Sequence, residues 1–150
     1  EINEKTKKSN TNDVAEGDVV NLHNNGSALD LWAKQSKPSK GTVEIHAHGG
    51  SSSVGGMTTV NEISDLLYEK SPTWRSMIDS GGKMKITLKL FSCETGKGTN
   101  SIASKIHSIY KNVTVIAPTN YWQVHYSNHI FYKQINYGSV KSPGKWATFK

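Results

Sequence analysis

The stretch from residue 84 to residue 104 constrains the fold more than any other part of the chain. Apolar and polar residues alternate from Ile86 to Leu90, which is the period of a β-strand with one buried face. A turn rich in glycine follows, and a helical pattern of apolar residues begins near Thr99. A strand, a turn and a helix in this order place Cys93 at the carboxyl end of a strand, where ligands and reactive groups collect in open α/β sheets.

Strand and helix patterns alternate along the rest of the chain as well. Val113 to Ala117 is apolar except for Thr114, which is typical of a central strand in a parallel sheet. The order β-α-β-α-α-β-α-β favours an α/β fold, with a mostly parallel sheet between helices in three α/β/α layers. We expect strands at residues 18–22, 42–48, 84–92 and 113–117, and helices at residues 28–33, 60–70, 73–78 and 99–111.

The two ends of the chain differ in character from this core. Residues 1–16 are polar and lack periodicity, so we expect a flexible leader followed by a single domain over residues 17–150. The segments 121–124 and 128–133 are rich in aromatic residues and predict a C-terminal β-hairpin that extends the sheet. Because the chain opens on Glu1 rather than Met, we expect a fragment or a processed product.

Charge and cysteine content limit the classes of function. The formal net charge is +6 and the isoelectric point is about 9.4, which favours anionic partners such as nucleic acid, an acidic protein or a membrane surface. Cys93 is the only cysteine, which excludes an internal disulfide framework and a cysteine-cluster metal site. No apolar run reaches the ~18 residues that a membrane-spanning helix needs, so we expect no transmembrane segment.

A second predicted strand ends in residues that can carry chemistry. Glu44, His46 and His48 share one of its faces, and a glycine-rich loop begins at Gly49. If this strand and the one before Cys93 are parallel neighbours, His48 and Cys93 emerge at the same edge of the sheet. A neutral imidazole beside a thiol can hold it as the nucleophilic thiolate, and the backbone N–H groups of Gly49 and Cys93 can stabilise an oxyanion.

These two strand ends resemble those of the caspase-like cysteine peptidases, the group that includes caspases, gingipains, clostripain and the self-processing domains of large bacterial toxins. The shared pattern is a hydrophobic strand ending in His-Gly, here at residues 43–49, and a second one ending in a small residue and Cys, here at residues 86–93. The resemblance covers residues 42–117. It implies a caspase-like sandwich with Cys93 as nucleophile and His48 as general base. The residues expected to support this site are Gly49, Ser92, His46 and Glu44, and the reaction needs no cofactor and no metal.

Three short segments are similar to the C-terminal toxin domains of bacterial Rhs-type and type VI secretion effectors. They are Phe-Ser-Cys-Glu-Thr-Gly-Lys-Gly at residues 91–98, Val-Ile-Ala-Pro-Thr-Asn at residues 115–120 and Gly-Lys-Trp-Ala-Thr-Phe at residues 144–149. The similarity implies a toxin domain that is secreted as part of a larger effector and delivered into a target cell. It also implies a protein substrate and a cognate immunity protein that blocks the toxin.

Other interpretations of the same histidines stay open. His46 and His48 form a His-x-His pair that could bind a metal ion, with His125, His129 or Glu44 as a third ligand. Together with the basic surface, the pair would suit a nuclease toxin. His46 could instead be a buried, hydrogen-bonded residue beside the site, and Glu44 could orient an imidazole.

The cysteine and the aromatic residues also allow structural roles. Cys93 could be a buried core cysteine, as most free cysteines are. The domain would then act without catalysis, by binding a partner or a membrane. The aromatic residues of the C-terminal third could form a partner surface or the core of the hairpin: Tyr121, Trp122, Tyr126, Phe131 and Tyr132.

Overall fold

The structure, a computed structural model, describes residues 16–127, 130–134 and 144–150. Within these residues the chain forms nine strands and four helices. The predicted leader lies outside these residues except for Glu16. The strands are β1 (Asp18–Asn21), β2 (Thr42–His46), β3 (Gly49–Gly50), β4 (Ser53–Val54), β5 (Ile86–Phe91), β6 (Val113–Pro118), β7 (Gln123–Ser127), β8 (Ile130–Gln134) and β9 (Trp146–Phe149). The helices are α1 (Ala28–Gln35), α2 (Val60–Lys70), α3 (Pro72–Asp79) and α4 (Ile102–Ile109).

The main sheet has the strand order β1-β2-β5-β6-β9. β1, β2, β5 and β6 are parallel to one another, and β9 runs antiparallel to β6 at the edge. The predicted α/β class with a mostly parallel sheet is therefore confirmed. The predicted hairpin is formed by β7 and β8, but it is a separate two-stranded sheet and does not extend the main one. The strand that extends the edge is β9.

Local capping signals define where the helices begin. The side chain of Thr59 accepts a hydrogen bond from the Glu62 N–H at 3.2 Å, and the Glu62 carboxylate accepts one from the Thr59 N–H, so the two residues form a capping box at the start of α2. Ser101 accepts from the Ser104 N–H at 3.2 Å, so α4 begins at Ile102 rather than near Thr99. None of the four helices described here has the length and apolar character that crossing a membrane requires.

One face of the sheet carries the main hydrophobic core. The apolar side chains of β2, β5 and β6 pack there against α2, α3 and α4. Trp74 of α3 is completely buried, and its indole N–H donates to the Ser64 hydroxyl at 3.1 Å, so its polar atom is satisfied. Each large apolar side chain buried in this way contributes roughly 1.5–3 kcal/mol, and this core is therefore the main stabilising element.

A smaller aromatic cluster lies on the other face, under α1 and β7. Phe91, Trp122 and Val124 form its buried centre, and side chains of α1 together with Trp146 pack around them. Trp122 is only 6% exposed, so the core interpretation is confirmed for this residue. Tyr121 is 46% exposed, whereas the side chains of Tyr126, Phe131 and Tyr132 lie outside the described part of the structure.

Candidate functional site

The carboxyl ends of three neighbouring strands are in register. Asn21 of β1 pairs with His46 of β2, and His46 pairs in turn with Phe91 of β5. The pairing continues one residue further, because the Leu22 N–H donates to the His46 carbonyl at 2.8 Å and the Ala47 N–H donates to the Phe91 carbonyl at 3.3 Å. The backbones of β1, β2 and β5 therefore leave the sheet side by side.

Two residues beyond this register stand His23, His48 and Cys93, one on each of the three strand ends. Adjacent strands lie about 4.8 Å apart, so these three residues follow strand ends that lie side by side at the carboxyl edge, and we refer to them as the row. The structure thus brings the strand ends of His48 and Cys93 together, as predicted. Sequence reasoning missed His23. The signal that could have found it is its position directly after the first predicted strand, which is where the other two residues also stand.

The imidazole rings of His23 and His48 contact each other edge to face. Their centroids are 4.9 Å apart and their planes meet at 82°. His48 is exposed, whereas His23 is 6% exposed. Burial lowers the pKa of His23 from its ordinary value of 6.5, electrostatic repulsion from the nearby His48 and His46 lowers it further, and the Asp30 carboxylate opposes these effects. His23 therefore favours its neutral form beneath a solvent-facing imidazole.

A buried carboxylate holds the loop that carries His23. Asp30 of α1 accepts hydrogen bonds from the Asn21 side-chain amide at 2.8 Å and from the Gly26 N–H at 2.9 Å. These bonds lower the pKa of Asp30, so it is a carboxylate at neutral pH. The Asn21 side chain in turn accepts from the His23 N–H at 2.9 Å. The backbone of His23 is thereby tied to α1.

The thiol of Cys93 contacts the chain that follows β6. Its Sγ accepts a hydrogen bond from the Trp122 N–H at 3.4 Å, and the S–H points at the Trp122 carbonyl at 3.7 Å. Cys93 is half-buried, so the thiol is not enclosed in the core. Among the described residues no hydrogen bond joins this thiol to His48. In enzymes without substrate such a bond is often long or absent, so the geometry is compatible with a nucleophile and a base.

The backbone of Gly49 packs directly against the residue before Cys93. A Cβ at this position would lie 2.9 Å from the Ser92 Cβ and from the Ser53 carbonyl, and 3.1 Å from the Thr95 methyl. Gly49 begins the short β3–β4 hairpin, and the Gly55 N–H closes it on the His48 carbonyl at 2.7 Å. The glycine-rich stretch, which the sequence indicates as a loop, is therefore a hydrogen-bonded hairpin.

Two polar groups next to the thiol have no hydrogen-bond partner within the part of the chain that the structure describes. The Ser92 side chain is 1% exposed, and its hydroxyl is unpaired there. The backbone N–H of Cys93 likewise donates to no described carbonyl. A free N–H at the candidate nucleophile is what an oxyanion site requires.

Glu44 and His46 form a buried pair behind the row. The Glu44 carboxylate accepts from the Ser36 hydroxyl at 2.7 Å and lies 2.8 Å from His46 Nε2. The His46 ring is 1% exposed and stacks on Phe91, with centroids 4.4 Å apart. The interpretation of His46 as a buried, hydrogen-bonded residue is confirmed. The imidazole that Glu44 contacts is that of His46 and not that of His48.

The alternative metal site with His46 and His48 as ligands is not assembled among the described residues. No group of three or more His, Cys, Asp or Glu side chains in the described ranges could hold a metal ion. His46 Nε2 is already bonded to Glu44, and His125 is exposed and contacts Gln123. His129, the remaining candidate ligand, lies outside the described residues.

A comparison with protein families finds one match. The family model described as "Domain of unknown function (DUF8616)" covers residues 18–132, which is most of the chain, and the chain therefore belongs to that family. The matched range includes β1, β2 and β5 together with the three residues of the row. No curated protein and no solved structure matches the chain.

Proposed function

We propose that this member of the DUF8616 family is a cysteine-type hydrolase, most simply a peptidase, with Cys93 as nucleophile and His48 as general base. The observation that carries the proposal is the common register of β2 and β5, which end side by side just before these two residues. A half-buried thiol and an exposed imidazole that follow adjacent strands at the carboxyl edge of a parallel sheet are suited to acyl transfer.

The reaction would proceed by transfer of an acyl group to water. His48 takes the proton of the Cys93 thiol, and the sulfur attacks the carbonyl carbon of the scissile bond. The resulting oxyanion accepts hydrogen bonds from the free N–H of Cys93 and from Gly49. The C–N bond then breaks as His48 gives its proton to the leaving amine, which produces a thioester. Water loses a proton to His48 and attacks the thioester, which releases a carboxylic acid and restores the thiol.

The arrangement of the layers supports a caspase-like fold for this chemistry. α2, α3 and α4 pack on one face of the sheet, and α1 lies with β7 against the aromatic cluster on the other. The glycine after the candidate base and the small residue before the candidate nucleophile are in contact, through Gly49 and Ser92. Both are the positions at which the sequence resembles the caspase-like peptidases.

The biological setting we propose is that of a bacterial antagonistic toxin. The domain would form the C-terminal part of a larger Rhs-type or type VI secretion effector and would act on a protein in the target cell. A cognate immunity protein would block it. The net charge of +6 suits an inhibitor with an acidic surface, which would associate rapidly through electrostatic attraction.

Growth of a bacterial host that expresses the domain tests the proposal. The wild type should arrest growth, and Cys93→Ala and His48→Ala should both be harmless while keeping a native circular dichroism spectrum. His125→Ala is the matched control, because His125 is an exposed histidine away from the row. It should remain as toxic as the wild type.

The alternatives predict other outcomes of the same experiment. If Cys93→Ala still kills, the peptidase proposal is wrong, and a nuclease that uses His48 and the basic surface must be tested against DNA and RNA. The burial of His46 and its bond to Glu44 already weigh against that nuclease. If neither Cys93 nor His48 matters, the domain acts by binding a partner or a membrane.

A further inference from the structure

We propose, on the basis of the function proposed above, that His23 is a positioning residue that holds the His48 imidazole in the orientation needed to act on Cys93. The site would then be a row of three residues, Cys93–His48–His23, with one member from the end of each of three neighbouring strands.

The contact between the two imidazole rings restricts the orientation of His48. An edge-to-face aromatic pair has a preferred geometry, and the two rings lie at 82° with their centroids 4.9 Å apart, within the favoured range. His48 is otherwise exposed and follows the end of β2, so few other contacts restrict its side chain. A histidine held on one side by a fixed ring has fewer rotamers to lose when it engages the thiol.

The loop that carries His23 is itself firmly held. Its N–H is bonded to the Asn21 side chain, and the Asn21 amide is bonded to the buried Asp30 carboxylate. Next to it, the Leu22 side chain lies against the β3–β4 hairpin, since a Cβ at Gly55 would come within 2.8 Å of the Leu22 Cδ1. The loop after β1 is thus anchored both to α1 and to the hairpin that follows His48.

The neutral form of His23 also suits an orienting role. A carboxylate in the third position would stabilise the imidazolium of the base, whereas a neutral imidazole can orient the base without adding a charge. Burial and the neighbouring histidines keep His23 in its neutral form. The buried carboxylate nearest in sequence to the predicted base, that of Glu44, is bonded to His46 instead. Within the described part of the chain, the ring that is seen to contact His48 is that of His23.

The rate of Cys93 alkylation by iodoacetamide at pH 7, followed by intact mass, tests this role without a substrate. Cys93 is the only cysteine, so every adduct reports on it. We expect His48→Ala to slow the reaction and His23→Ala to slow it by about tenfold, a coupling within the range for contacting residues. His23→Phe keeps an aromatic ring against His48 and should retain most of the wild-type rate. His125→Ala should leave the rate unchanged.

The double variant separates positioning from a general structural effect. In the His48→Ala background, His23→Ala should slow alkylation no further, because the residue that it positions is gone. An equal additional loss of alkylation rate in that background would overturn the proposal, as would a wild-type rate in His23→Ala. The proposal would also be overturned if folded His23→Phe reacted as slowly as His48→Ala. If His48→Ala itself has the wild-type rate, the proposed base is wrong and the role of His23 fails with it.

Discussion

Gly49 lies against Ser92 so closely that a Cβ at position 49 would come within 2.9 Å of the Ser92 Cβ. These two residues are the immediate neighbours of His48 and Cys93. The relative position of the candidate base and nucleophile is therefore set by backbone packing between the two strand ends, and not by a hydrogen bond between their side chains. Any change that separates the two backbones should alter the site.

The first prediction is that Gly49→Ala impairs the site. The added methyl group would also meet the Ser53 carbonyl at 2.9 Å, and backbone atoms cannot move aside as a flexible side chain can. We expect a loss of about 1–3 kcal/mol in the free energy of unfolding, typical of overpacking, together with a loss of toxicity. Urea unfolding and the growth assay measure the two effects.

Gly50→Ala is the matched control for this change. A Cβ at Gly50 would meet nothing within 4 Å, so the variant should behave like the wild type in both assays. If Gly49→Ala and Gly50→Ala are equally tolerated, the close packing of Gly49 on Ser92 has no functional importance.

The second prediction separates the buried pair from the chemistry. Glu44→Ala leaves the Ser36 hydroxyl and His46 Nε2 without their acceptor, and each unsatisfied buried group costs about 1–3 kcal/mol. We expect a clear loss of stability but a normal rate of Cys93 alkylation in the protein that remains folded. Ser36→Ala, which removes only one of the two bonds, should cost less. Slow alkylation of Cys93 in a fully stable Glu44→Ala protein would contradict this purely structural role.

The third prediction concerns the pH dependence of stability. Burial, then His48 and His46, lower the pKa of His23 in the folded protein, whereas Asp30 opposes them and the unfolded chain keeps the ordinary value of 6.5. Below that pH the unfolded state binds more protons at this residue, so the free energy of unfolding falls as the pH drops from 7 towards 5. The phenylalanine in the His23→Phe variant cannot be protonated, so the free energy of unfolding of this variant should fall less over the same pH range. Urea unfolding at several pH values provides the comparison, and equal slopes for the two proteins would refute the assignment.

The fourth prediction concerns the backbone just after the thiol. Glu94 has a φ angle of +57°, a left-handed conformation that is unfavourable for a residue with a Cβ. Glu94→Gly should be as stable as the wild type or up to about 1 kcal/mol more stable, whereas Glu94→Val should lose about 1–2 kcal/mol. Lys97→Ala, which breaks only the exposed ion pair with Glu94, should have little effect. A stable Glu94→Val protein would show that this conformation is not maintained.

Much of the fold could be predicted because it depends on local patterns. The capping box at Thr59, the proline that separates α2 from α3 and the apolar run of β6 each identify an element from a few adjacent residues. The antiparallel position of β9 beside β6 could not be predicted, because it depends on contacts with residues about 30 positions earlier in the chain. The separation of the hairpin from the main sheet depends on the same kind of distant contact.

The sequence by itself determined the order of strands and helices, and it placed His48 and Cys93 after strands of a parallel sheet. This was possible because periodicity, helix caps and glycine turns depend on residues that are neighbours in the chain. Only the tertiary structure decided that β1, β2 and β5 are adjacent and in register, that His23 contacts His48, and that Glu44 pairs with His46. These relationships depend on which strands pair and on the register they adopt. That choice is made by the burial of the whole apolar face of the sheet, to which residues from every part of the core contribute.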